Sequence, residues 1–262
     1  MDIVDLSEEY LDTYCVCLED WSEEMKDAGH RKREWHRRMK DRGLGVKLAV
    51  KNGAACGMIQ YLPIEESFVE GTGLYLVACI WVHGYKEGIG NHQKQGIGSA
   101  LLSAAEDDAR SKGAAGMAAW GLALPIWMKA SWFKKHGYRK ADRVGIQVLL
   151  WKPFTDDARP PVLLREKRKP EKQPGKVTVT AYNIGWCPAQ NITFERARRA
   201  AGELGDKVEF TFVDTSDRET LHEWGIADAV YVDGRKLRTG PPPSYEKIKK
   251  TIAKRVKKLS SH

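Results

Sequence analysis

Between Leu74 and Gly113 the sequence passes from an apolar run through a glycine-bearing turn directly into an amphipathic stretch. Leu74 to Val82 is long enough for a buried strand. Ile97, Leu101, Ala105 and Ala109 then recur at helical spacing, with Leu102 widening the stripe and Glu106, Asp107, Asp108 and Arg110 on the opposite face. Between the two lies Gln93-Lys94-Gln95-Gly96-Ile97-Gly98. Glycines at 96 and 98 let the chain turn tightly and bring main-chain N–H groups close to a ligand. The first turn of a helix adds unpaired donors and the positive end of its dipole. The stretch is therefore expected to cradle an anion such as a pyrophosphate. Gly88-Ile89-Gly90 repeats the tripeptide upstream, but Asn91-His92-Gln93 follows it with no apolar period, so 84–92 reads as a loop.

A length of 262 residues suits one large or two small domains, and 42% hydrophobic with 30% charged residues describes an ordinary soluble chain. The opening Met1-Asp2-Ile3-Val4-Asp5 is acidic and lacks the regions of a signal peptide. No apolar run approaches the roughly 18 residues of a membrane helix. Five cysteines is an odd count, which favours a reduced, cytoplasmic setting over a disulfide scaffold. Cys15 and Cys17 point different ways on a helix, Cys56 and Cys79 lie in strand-like runs, and no metal site is expected. The net charge of +8 concentrates in 234–262, where ten basic residues face the single acidic Glu246. Tyr245 is the one aromatic residue among them, so a solvated helix face is expected and nucleic acid is not expected as a partner.

Taken in order, 7–27 and 30–42 read as helices, the first with Leu11, Tyr14, Leu18, Trp21 and Met25 on one stripe. Strands 46–51 and 55–63 follow, joined at Asn52-Gly53, a strong hairpin-turn signal. After strand 74–83, the cradle and its helix come strand 115–121, helix 127–136 and strand 144–151. The stretch 156–175, rich in proline and charge, reads as a linker. Residues 176–262 then alternate as strand 177–182, helix through Phe194, Ala197, Ala201 and Leu204, strand 208–213, helix 218–224, strand 229–232 and a last helix.

Gln-x-x-Gly-x-Gly between a buried strand and an amphipathic helix resembles the acyl-coenzyme A signature of the GNAT superfamily of N-acetyltransferases. Trp132-Phe133-Lys134-Lys135-His136-Gly137-Tyr138 is similar to a second stretch of that family. The resemblance covers residues 1–155 and implies an α/β (α+β) acyl-CoA N-acyltransferase fold. It implies acetyl-CoA held by Gln93, Lys94, Gln95, Gly96, Ile97, Gly98 and Ser99, with Phe133 and Lys135 alongside. It places a carbonyl-polarising N–H at Val82, a small-molecule or peptide amine as acceptor, and an acceptor cleft beside the early helical pair, where Trp21 and Trp35 either line the cleft or, as the favoured reading, pack in the core. Phe133 stands where the family's proton-donating tyrosine is usual, leaving Tyr138 as a substitute. For the base, His83 ends the central strand, histidine being the residue type that takes up protons near neutral pH, and Glu65 beside Glu66 follows the third strand.

From Val177 onward the order resembles a small thioredoxin-like βαβ domain, with Trp186-Cys187-Pro188 matching the opening of that family's active-site turn. Gln190 stands where the second cysteine would be, so Cys187 acts alone if it acts, as a reactive thiol for a small thiol partner. The pairing of the two domains resembles the YoaP-type proteins. Two functions stay open at this point: an acetyl-CoA-dependent N-acetyltransferase, or a CoA-binding or thiol-handling protein without efficient transfer. An apolar strand edge in the first domain permits a homodimer.

Overall fold

The computed structural model describes residues 1–124, 127–238 and 241–259. The chain divides into two compact units, Met1–Trp21 with His36–Leu164, and Ser22–Trp35 with Arg165–His262.

In the first unit, strand β1 (Asp2–Asp5) precedes a 3-10 turn at Glu8–Tyr10 and helix α1 (Leu11–Cys15). The single helix expected over 7–27 is instead broken, because Cys17 and Leu18 take positive φ angles of 51° and 67°. Helix α2 (Glu23–Met39), of which the part up to Trp35 belongs to the second unit, starts afresh, with the Ser22 hydroxyl accepting from the Met25 N–H, and a 3-10 turn at Lys40–Arg42 ends at Gly43 in the left-handed region. Strands β2 (Gly45–Lys51) and β3 (Ala54–Pro63) form the expected hairpin, with Asn52 and Gly53 both at positive φ. Beyond a 3-10 turn at Ile64–Glu66 come β4 (Val69–Glu70) and the central strand β5 (Leu74–Val82). Helix α3 (Ile97–Ser111), β6 (Gly116–Leu122), α4 (Ala130–Lys135), β7 (Arg139–Val144), β8 (Gln147–Pro153) and β9 (Val162–Leu163) complete the unit. The last helix and strand differ from expectation: α4 is shorter than 127–136, and the final strand is a hairpin. Val162–Leu163 pairs with Val69–Glu70 inside the proline-rich stretch.

Seven strands form one sheet in the order β1-β2-β3-β5-β6-β8-β7. The pair β5–β6 alone is parallel, and its register runs only from Leu74↔Gly116 to Val77↔Ala119. The register of β5 against β3 shifts next to Gln60/Tyr61, leaving Ala78 as an extra residue. Beyond that bulge β5 and β6 part, so the middle of the sheet carries a gap. The predicted stripe of α3 covers the sheet as expected: Ile97, Leu101, Leu102, Ala105 and Ala109 are all buried, in one core with Ile59, Val77 and Phe133. Gly57 permits this approach, since a Cβ there would lie 2.9 Å from Ile97 Cγ2.

In the second unit, β10 (Val177–Asn183), α5 (Pro188–Glu203), β11 (Val208–Asp214), α6 (Arg218–Trp224), β12 (Ala229–Val232), β13 (Arg235–Lys236) and α7 (Tyr245–Leu259) follow in order. The sheet order is β11-β10-β12-β13, with β10 and β11 parallel and the other neighbours antiparallel. Val177, Val179, Phe194, Ala197, Val230, Ile248 and Ile252 form its core. The early segment Ser22–Trp35 packs here: Asn191 Nδ2 donates to Ala28 O at 3.2 Å, and Arg31 pairs with Glu195 at 2.6 Å while lying over the Phe194 ring. Trp35 is 2% exposed, a core residue beside Gly185 and no wall of a cleft.

Candidate functional site

Helix α3 opens on Gly96, which sits at φ 80°, preceded by Lys94 at φ 62°. A lysine in the left-handed region is strained, and such strain clusters at ligand sites. The turn leaves the N–H groups of Gly96, Ile97, Gly98 and Ser99 without an acceptor among the described residues, while the Gly96 carbonyl already receives the Ala100 N–H at 3.1 Å. A Cβ on Gly96 would meet no atom within 4 Å, so the mouth of the helix is open. Four unpaired donors at the positive end of a 15-residue helix are an arrangement suited to an anion.

The strand end lies against this turn. A Cβ on Gly98 would be 3.9 Å from Val82 Cγ2. His83 N donates to Cys56 O at 3.0 Å on the β3 side, so strand alternation turns the N–H and C=O of Val82 the other way, toward the gap. There Gln93 Nε2 donates to Val82 O at 3.2 Å, and Trp120 Nε1 donates to Ala78 O at 2.8 Å. The Val82 N–H points into the region where the two strands have separated. Gln93 thus ties strand to cradle through its side chain.

His83 is fully buried. Its Nδ1 lies 2.6 Å from Gly90 O. A carbonyl only accepts, so Nδ1 carries the proton and Nε2 is the acceptor of the neutral ring. Nε2 has no partner among the described residues. The loop 84–92 is tied to His83 twice, through that bond and through His92 N to His83 O at 2.9 Å.

Glu65 belongs elsewhere. Its Oε1 accepts the Gly73 N–H at 2.7 Å, at the start of β5. Ten residues of extended chain separate Gly73 from His83, about 30 Å at the rise of a strand, which takes Glu65 out of reach of the reacting end. Phe133 is likewise not beside the cradle: it is 0% exposed and packs in the core. Tyr138 is buried with it, and desolvation, with Glu106 nearby, raises its hydroxyl pKa well above the usual value. Lys135 is exposed at the end of α4.

Trp132 and His136 take the place expected for Phe133. The Trp132 ring lies 3.3 Å from a Cβ on Gly98 and stacks on His136 with centroids 4.1 Å apart. His136 Nδ1 donates to Trp132 O, and its Nε2 lies 2.9 Å from Ser99 Oγ in the first turn of α3. The signal was present in the sequence: Trp132 and His136 are four apart and share a helix face that Phe133 does not.

In the second unit Cys187 is the N-cap of α5, buried, with its carbonyl accepting from Gln190 N and Asn191 N at 3.0 Å each. Asp228 accepts from Ile184 N, Trp186 Nε1 and Asn183 Nδ2, and burial pushes its carboxyl up to about 6. The five cysteines are all thiols, and no cluster that would hold a metal occurs among the described residues. No helix among them is long and apolar enough to cross a membrane.

Solved structures similar to the chain include the PaiA N-acetyltransferase of Thermoplasma acidophilum in complex with coenzyme A, at 19% identity over 59% of this chain and 100% of that one, with a TM-score of 0.44. The ribosomal-protein-alanine N-acetyltransferase of Brucella melitensis is similar at 19% identity, 59% and 100% coverage and a TM-score of 0.46. The aminoglycoside 6'-N-acetyltransferase of Enterococcus faecium is similar at 15% identity, 58% and 97% coverage and a TM-score of 0.42. No curated protein matches the chain. The expected mixed α/β fold class is the one observed. Residues 3–124 match the profile of the acetyltransferase (GNAT) family, a span from β1 through the end of β6 that contains both the cradle and the gap.

Proposed function

We propose that the first unit transfers an acetyl group from acetyl-CoA to an amine, on a small molecule or a peptide. The observation that carries the reading is the set of four unpaired main-chain N–H groups at Gly96–Ser99, set against the end of a strand whose Val82 N–H faces the gap. The family match over the same residues supports it. Those amides fit a diphosphate, which needs several converging donors and no opposing carboxylate. Trp132 and His136 border the same turn. When bound, acetyl-CoA supplies an acetyl group activated as a thioester. The Val82 N–H is placed to donate to a carbonyl oxygen as it gains charge. An amine attacks only as its neutral form and must then shed a proton. His83 Nε2 is the proton acceptor we assign, held in the right tautomer by Gly90. Isothermal titration with acetyl-CoA, followed by a thiol-release assay over an amine panel, tests the reading: it fails if the cofactor does not bind or no amine accelerates release.

A second reading, a protein that binds CoA without efficient transfer, is favoured by one observation. Phe133 and Tyr138, the two positions expected to supply a proton donor, both face the core. Binding without amine-stimulated release would decide for it.

We read the second unit as thioredoxin-like. The order β11-β10-β12-β13 around parallel β10 and β11 supports this, as does Cys187 at the helix start, where the dipole favours thiolate. The partner that fits one cysteine is a small thiol in its disulfide form: the Cys187 thiolate attacks one sulfur, the S–S bond breaks, and the mixed disulfide forms as one small thiolate leaves.

A further inference from the structure

Four rings meet beyond the end of β5. The centroid of Trp21 lies 5.0 Å from His83 and 5.8 Å from Tyr85, and Tyr85 lies 5.9 Å from both His83 and Trp81. Such clusters normally close up inside a core, yet this one opens to solvent, with Trp21 36% and Tyr85 44% exposed. Carboxylates stand around it. Glu19 is half-buried two residues before Trp21, and Glu87 lies two residues after Tyr85. A Cβ on Gly88 would lie 2.7 Å from the Trp21 ring and 3.7 Å from Asp20 Oδ1, which puts Asp20 at the rim. Lys86 is the sole Lys or Arg among residues 84–92. In a chain of net charge +8 this corner is therefore locally acidic.

Under the rings lies His83 Nε2, buried and without a partner among the described residues. Because Nδ1–H is committed to Gly90, Nε2 offers a lone pair to a donor. Aromatic faces, carboxylates and an unfilled acceptor share one complement, a cation that carries N–H groups. An anion would be repelled, and a neutral apolar group would leave Nε2 unsatisfied.

We propose that Trp21, Tyr85, Glu19 and His83 recognise the acceptor, and that the acceptor is an aliphatic diamine or polyamine. One nitrogen is acetylated at the strand end, and a second, still charged, rests on the exposed aromatic faces among the carboxylates. The inference rests on the acetyl-transfer reading for its first nitrogen, but the recognition of the second does not need transfer.

Titration calorimetry without cofactor separates the two. 1,4-Diaminobutane should bind about tenfold or more tighter than butylamine, and raised salt should shrink the difference. Glu19→Gln, which keeps the shape, and Trp21→Ala, checked by thermal melting, should each weaken the diamine roughly three- to tenfold. Equal binding of the two amines, or unchanged diamine binding in both variants, overturns the proposal. The same amines are then assayed with acetyl-CoA. A binding preference with no thiol release sustains the recognition site and sinks the transfer reading. Transfer with equal kcat/KM for mono- and diamines, indifferent to both substitutions, sustains transfer and sinks the recognition site.

Discussion

Gly96→Ala separates the cradle from the fold better than any other substitution. The added Cβ meets nothing within 4 Å, so the cost is that of holding alanine at φ 80°. That is about 1–2 kcal/mol, or a few degrees of Tm for a unit of this size. The backbone relieves such strain by rotating, which turns the Ile97 and Gly98 amides off their common focus. One charge-assisted hydrogen bond lost costs about 1.5–3 kcal/mol, roughly 10- to 100-fold in affinity. Gly57→Ala is the control. Its Cβ would press on the side chains of Ile97 (Cγ2, 2.9 Å) and Leu101 (Cδ1, 3.0 Å) on the core-facing side of α3, touching none of the cradle N–H groups. Overpacking of that kind costs about 1–3 kcal/mol of stability. Calorimetry with acetyl-CoA, beside a thermal melt, reads both quantities. The expected result is a pair of variants with similar losses of Tm, of which Gly96→Ala alone binds far more weakly. Wild-type affinity in Gly96→Ala would refute the assignment of the amides.

Further outcomes follow from single contacts. His83→Asn keeps a donor for Gly90 O but removes the Nε2 acceptor, so the protein should stay folded while amine-stimulated release falls by about 10²- to 10⁴-fold. Unchanged release would remove His83 from the chemistry. Glu65→Gln retains an oxygen for the Gly73 N–H and should leave transfer untouched, and a large fall in kcat would restore Glu65 as the base. Asp228 has its carboxyl raised from 3.8 to about 6, chiefly by burial, so between those values the folded state holds a proton that the unfolded state has lost. Stability of the second unit should accordingly fall as pH rises from about 4 to about 6, by about 2–3 kcal/mol. Denaturant unfolding of Asp228→Asn should show a flattened slope there, and an unaltered pH profile would contradict the burial effect.

What could be read from the sequence was what is local and periodic. The α3 stripe, the Asn52-Gly53 turn and the strand–turn–helix order around Gly96 are all set by neighbours within a few residues. Non-local contacts were invisible. Ser22–Trp35 packs in the second unit through partners such as Asn191, 163 residues from Ala28 along the chain, and no local pattern announces it. The break after Cys15 was missed because Cys17 and Leu18 take positive φ angles without glycine. Phe133 was expected at the cofactor by alignment to a tyrosine, yet an apolar ring on the inner face of α4 belongs to the core. The amphipathic spacing of Trp132 and His136 was the better guide. The His83 tautomer was not legible, since it depends on a carbonyl at Gly90 in a loop of no regular structure.

The central claim is that main-chain N–H groups at the start of α3 and the end of β5 hold the acyl carrier. Backbone amide resonances recorded during a titration with acetyl-CoA test it most directly. Gly96, Ile97, Gly98, Ser99 and Val82 should show the largest shifts, saturating together. Saturation that moves other amides while these five stay still would contradict the account.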